Sequence, residues 1–141
     1  MCQRSPEPRQ LVVSDVMMFS FEKLNAYSEA RLLVAKVYAL LPVFPKNEQF
    51  ALTAQIQRSI VSVPSNIAES SGRHSLKEKI HFLDIAYGSL MEAYCQLQIA
   101  QDLNYIDIDS FEDLKTGFYS TARLISGLSR KFQEDLKSPN R

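Results

Sequence analysis

Apolar residues recur along this chain at three- and four-residue steps in four separate stretches. That spacing lines one side of an α-helix. The first stretch holds Leu24, Tyr27, Val34, Val37 and Leu41, with Leu33 and Leu40 widening the stripe. It predicts a helix from about Phe21 to Leu41, ended by Pro42 and Pro45, because the residue before a proline is pushed out of the helical region. The second holds Leu52, Ile56, Ile60, Val63 and Ile67 and predicts a helix from about Asn47 to Gly72. Pro64 falls inside it. It removes one backbone donor and frees the Ile60 carbonyl, so a kink or a break is expected there. The third opens on Ser75-Leu-Lys-Glu78, a capping box, and carries Leu76, Ile80, Leu83, Tyr87, Leu90, Tyr94 and Leu97 at coiled-coil-like steps. A second row, Phe82, Ile85, Ala86, Met91 and Ile99, widens its apolar face and calls for more than one neighbour. Asn104 stops it. The fourth takes Ser110-Phe-Glu-Asp113 as its cap and carries Phe111, Leu114, Phe118, Ile125, Leu128, Phe132 and Leu136.

Four long helices with short connections predict an all-α protein, an antiparallel up-down-up-down four-helix bundle over residues 21–137. No alternating apolar runs or hairpin dipeptides suggest strands. Residues 1–20 read as a disordered N-terminal extension, since Pro6 and Pro8 forbid a helix there. Residues 138–141 read as a loose tail.

Composition narrows the class. A chain of 141 residues is long enough to bury one real core. No apolar stretch is long enough to span a bilayer, and the N-terminus lacks the pattern of a signal peptide. A cytoplasmic protein with no membrane partner is expected. Cys2 and Cys95 read as separate free thiols, Cys95 as a buried one. The formal net charge is +0, which argues against a strongly phosphate-binding surface. The charges are unevenly placed. Residues 101–114 carry five acidic residues and no lysine or arginine, whereas residues 115–141 are mostly basic. Acid at the start of a helix and base at its end match the helix dipole.

Candidate chemistry is sparse. A di-metal bundle needs two Glu-x-x-His motifs, and Glu78-Lys-Ile-His81 is the single one in the sequence. His74 lies about 10 Å from His81 by helical rise, too far to share an ion. Cys95 has no histidine at a predictable distance, and there is no phosphate loop or dinucleotide fingerprint. The expectation is therefore a protein that is not an enzyme, with no catalytic residue, metal, cofactor or small-molecule substrate.

Polar residues on the second and third helices are the sharper feature. Gln55, Arg58, Ser62, Asn66 and Glu69 recur at helical steps beside the apolar row, and Ser89, Glu92 and Gln96 continue the line on the third helix. Two readings stay open. One is a buried network that fixes helix pairing and meets the carbonyl freed by Pro64. The other is a subunit or ligand interface. Arg58 separates them, because a buried guanidinium needs a carboxylate, with Glu69 and Glu92 as candidates.

These residues carry a resemblance. Phe44-Pro45 followed by Glu48, Gln55-Ile56 with Arg58, Ser62-Val-Pro-Ser-Asn-Ile-Ala-Glu69 with Gly72-Arg73, then Phe82-Leu83, Ile85-Ala86, Gly88-Ser-Leu90, Glu92 and Gln96-Leu97 form a long ordered set. The chain resembles the four-helix bundle proteins encoded in intervening sequences of bacterial 23S rRNA genes. That family includes the accessory variability determinants of diversity-generating retroelements. The likeness covers roughly Phe21 to Phe132. It implies a bundle that assembles as a ring, typically a homopentamer. Apolar faces that exceed what one bundle needs, with no catalytic set beside them, make an interaction or scaffolding protein the expectation. The alternative that the likeness implies is an RNA- or DNA-binding accessory factor that partners a reverse transcriptase or ribosomal RNA. The cations available for that role are Arg73, Lys77, Arg123, Arg130 and Lys131. Ser59, Ser70 and Ala93 depart from the family's usual Ala, Gly and Leu at those positions. The neutral charge departs from the basic retroelement members.

Overall fold

The computed structural model describes residues 18–138. The expected extension through residue 17, with Cys2 in it, and the tail beyond residue 138 lie outside the described residues. Four helices, α1 Asn25–Leu40, α2 Leu52–Ser71, α3 Leu76–Asp102 and α4 Ile108–Lys137, form a bundle, with no strand among the described residues. Helices consecutive in the chain pack on one another, and α1 closes the ring against α4.

Cross-helix contacts fix the directions. Ser59 bonds Gln96, Ser62 bonds Ser89, and Ser70 bonds the Lys79 backbone. Residue numbers rise along α2 as they fall along α3, so the pair is antiparallel. Tyr94 lies against Phe118, while Leu83 shares a cleft with Ser129, which sets α3 against α4 in the same sense.

α1 begins later than expected. Ser20–Lys23 forms a separate 3-10 turn, and Leu24 is extended. The Glu22 carboxylate accepts the Phe19 N–H, and Phe21 packs edge-on against Tyr27. These contacts hold the turn against the start of α1 in place of a continuous helix. α2 also starts late, after a 3-10 turn at Lys46–Glu48, and its first N–H, that of Leu52, donates to the Glu48 carboxylate. It then runs through Pro64 without interruption. Pro64 is buried in the bundle, so packing outweighs one lost hydrogen bond.

α3 starts where its cap predicts, with the Ser75 hydroxyl accepting from the Glu78 N–H at 3.1 Å. It ends on Asn104, whose φ of 62° is the left-handed cap conformation that asparagine tolerates better than most residues. The Tyr105 N–H closes the cap on the Ala100 carbonyl. α4 starts earlier than expected. Its cap is Asp107, which accepts the Ser110 N–H at 2.7 Å. That bond holds the Asp107 carboxyl below its usual range.

The core row of α3 is Leu83, Ala86, Leu90, Ala93, Leu97 and Ala100, alternating leucine and alanine at heptad spacing. Of the expected second row only Ala86 is fully buried; Ala93 and Ala100, rather than Phe82, Ile85, Met91 and Ile99, complete that row. Ile56, Ile60, Val63 and Ile67 of α2 and Leu33 and Val37 of α1 complete the centre, with Phe118 and Ile125 from α4.

Candidate interaction surface

The seam between α2 and α3 is built from small polar side chains set among core residues. Ser59 is buried at the position next to Ile60. Its hydroxyl donates to Gln96 Oε1 at 2.7 Å, with the Ile56 carbonyl 3.1 Å away. Gln96, also buried, donates in turn to Glu92 Oε1 at 3.1 Å. One turn further along α2, the Ser62 and Ser89 hydroxyls bond at 2.8 Å, and the Asn66 amide donates to both the Ser62 hydroxyl and its carbonyl. At the end of the seam Ser70 donates to the Lys79 carbonyl, and the Lys79 ammonium donates to the carbonyl of Ser71. Short side chains let the backbones approach, and each buried hydroxyl or amide finds a partner, as a low-dielectric interior demands.

Five of the expected residues, Ser62, Asn66, Ser89, Glu92 and Gln96, belong to this network. Three do not. Gln55 and Arg58 are exposed, and Arg58 makes no ion pair among the described residues. Its guanidinium therefore needs no buried carboxylate, because α2 is rotated so that Ser59 rather than Arg58 meets α3. Glu69 points away and pairs with Arg73. The network also leaves the Ile60 carbonyl aside, since Ser59, Ser62 and Asn66 bond elsewhere. Ser59 and Gln96 form the buried centre of the seam. Ser59 was not among the expected residues; its signal in the sequence was a polar residue immediately beside a core position, Ile60.

A second junction ties the far end. Glu48 accepts from Leu52 N–H with one oxygen and from the Tyr105 hydroxyl, 3.3 Å away, with the other. This links the α1–α2 connection to the α3–α4 connection, and Phe44 packs on the Tyr105 ring. Burial, then the Glu48 carboxylate, holds the Tyr105 phenol above its ordinary range.

The outer surface has two distinct features. On α3, Ile85, Met91 and Ile99 are 38%, 42% and 42% exposed. Gly88 and Cys95 lie on the same outward arc, and Cys95 is exposed rather than buried. No atom lies within 4 Å of where a Gly88 Cβ would stand. On α4, Arg123, Arg130 and Lys131 are exposed and form no ion pair among the described residues. Lys77 is likewise exposed. Arg73 is committed, stacked 4.5 Å over the Phe82 ring and bonded to Glu69. Among the described residues no group of three or more His, Cys, Asp or Glu could hold a metal ion, and no helix is long and apolar enough to cross a membrane.

Fold and seam together define a compact all-helical bundle whose helices are registered by small polar side chains. The chain belongs to the 23S rRNA-intervening sequence protein family, whose model matches residues 22–127. A solved structure with the same fold is that of a protein of unknown function from the S23 ribosomal protein family of Bacteroides thetaiotaomicron. It is 20% identical, with a TM-score of 0.68, over 74% of this chain and 97% of that one. None of the curated proteins compared matches the chain.

Proposed function

We propose that this protein is a non-enzymatic, cytoplasmic, self-associating helix bundle that works as an interaction or scaffolding module. The observation that carries this is the outward stripe of α3. Ile85, Met91 and Ile99 lie open on a helix whose opposite arc is already filled by the core. Gly88 sits in the middle of that stripe with free space above it. An exposed glycine in a helix interior costs about 1 kcal/mol relative to alanine, and the bundle itself makes no use of it. A second helix backbone approaching the stripe would. The ring of five implied by the family resemblance gives the subunit number. Sedimentation of the full chain at micromolar concentration is the test. An assembly of about five subunits, dissociated by Ile99→Lys or Gly88→Gln, is the expected result. A monomer over that range overturns the proposal.

A second reading, an accessory factor that binds RNA or DNA alongside a reverse transcriptase or ribosomal RNA, draws support from Arg123, Arg130 and Lys131. These three cations lie free on one half of α4, and a ring would repeat them in every subunit. The family's name refers to 23S rRNA. The net charge of +0 weighs against it. Binding of a generic RNA across a salt series decides the matter: affinity lost near physiological salt removes this reading.

A further inference from the structure

The clefts along the bundle differ in chemistry, and one has the makings of a ligand site. It lies where the first turn of α1 meets the C-terminal half of α4. Its volume is about 290 Å³, and its lining is mostly apolar. Leu24, Leu124 and Leu128 are half-buried and turn their open surface into it, while Arg123 and Lys131 stand exposed at its border. Neither cation makes an ion pair among the described residues. Gly127 lines the same cleft, and no atom lies within 4 Å of where its Cβ would be.

Each observation restricts the occupant. A pocket of this size with an apolar lining accepts a small body of roughly ten heavy atoms. Two unpaired cations at its edge favour a negative head group, which the apolar wall could not hold by itself. Gly127 is the third constraint. A mid-helix glycine is less favourable than alanine, and nothing in the bundle fills the space above it. A side chain there would project into the cleft. The space is therefore kept at a cost in helix stability.

We propose that the α1–α4 cleft binds a small amphiphilic monoanion, a medium-chain carboxylate, with its chain against Leu24, Leu124 and Leu128 and its carboxylate between Arg123 and Lys131. This goes beyond the assembly proposed above and does not depend on it, since the cleft lies on α1 and α4 and the apolar stripe on α3. It also adds a ligand where the sequence suggested none.

The test is titration of the full chain with octanoate, below its micelle concentration, followed through the Gly127 amide signal in a proton–nitrogen NMR spectrum. Octanol and acetate serve as the chain-only and charge-only controls. The expected result is saturable octanoate binding with a Kd on the order of 1 mM, as ten heavy atoms of ordinary ligand efficiency give. Octanol and acetate should each bind at least about fivefold more weakly. Arg123→Ala and Lys131→Ala should each weaken octanoate by about two- to fivefold, the range of an exposed ion pair. Gly127→Leu should abolish binding while raising the melting temperature, a combination that a merely structural glycine does not produce. If Gly127→Leu fails to fold, the double variant Arg123→Ala/Lys131→Ala, altered only at exposed positions, carries the test. Octanol binding as well as octanoate overturns the anion assignment. Octanoate shifts that do not saturate, or that persist at the neighbouring Ser126 and Leu128 amides in Gly127→Leu, overturn the site. A Gly127 signal that moves with protein concentration alone assigns the cleft to a second copy of the chain and also overturns it.

Discussion

The α2–α3 seam and the α1–α4 seam solve the same packing problem in opposite ways. Along α2–α3, Ser59, Gln96, Ser62, Ser89, Asn66 and Ser70 hydrogen-bond within or across the interface at intervals of about one helical turn. Along α1–α4 the contact is apolar. Ala26, Ala30, Leu33 and Val37 are buried there, and Gly117 comes so close to Leu33 that an added Cβ would stand 3.1 Å from its Cδ1. No side-chain hydrogen bond joins α1 to α4 among the described residues. Directional bonds specify one register, because a slip leaves buried hydroxyls unpaired. Apolar contact is less particular, and at its end it opens into the cleft beside Gly127. This small bundle keeps its specificity in the α2–α3 seam and its unused surface in the α1–α4 seam.

Four tests bear on that contrast. The largest effect should come from wedging the apolar seam. Gly117→Val places branched methyls against the buried Leu33 and should cost about 3 kcal/mol by chemical denaturation, at the upper end for overpacking. Gly117→Ala should be near neutral, its helix propensity offsetting the contact. An unchanged midpoint for the valine variant would mean that the seam is loose. Next, Gln96→Ala removes the cross-helix bond to the buried Ser59 hydroxyl, leaving it only the Ile56 carbonyl, and empties a buried side-chain position; together these should cost about 2 kcal/mol. Adding Ser59→Ala should return part of that loss, and strict additivity of the two would show that the ladder is not coupled.

A smaller, opposite change is expected at Thr121. Its hydroxyl is fully buried in α4 and has no hydrogen-bond partner. Thr121→Val should therefore stabilise the chain by about 1 kcal/mol, which makes it the inverse of Gln96→Ala. A loss of stability would reveal a hidden acceptor. The smallest effect belongs to the α4 cap. Asp107→Ala should lower the melting temperature by a few degrees, and Asp107→Asn should recover most of it. The native Asp107 carboxyl titrates below its unfolded value, so its contribution is present above that value, about 3.9, and fades as pH falls through the folded one. The gap between wild type and variant should close in acid; a constant gap would exclude the cap.

The capping chemistry was legible in part. Ser75 was readable as a cap because a hydroxyl three residues before a glutamate is a local signal. The α4 cap was displaced to Asp107 because Ser110 and Asp107 both suit the role. Their choice rests on where Tyr105 and Ile106 pack. Arg58 was misplaced for a related reason. Arg58 and Ser59 are adjacent, only about 100° apart around the helix, and both border the apolar arc. Which one meets α3 depends on how closely the helices approach. On α3 the apolar arc was too wide to resolve. Ser89 and Gln96 reach α2 on one side and Tyr94 reaches the α4 aromatics on the other. The arc between them, leucine and alanine, became the core, leaving Ile85, Met91 and Ile99 outside.

By itself, then, the sequence determined four helices, their approximate ends, the apolar side of each and the family, because these follow from local spacing, caps and ordered motifs. Tertiary structure decided which part of each apolar arc is buried, which polar residues pair, and that Pro64 lies inside an unbroken helix. Those outcomes depend on distances between helices, and those distances are set by small side chains where helices meet, such as Ser59 against α3 and Gly117 against α1. A linear pattern of polar and apolar residues does not record how near two backbones come.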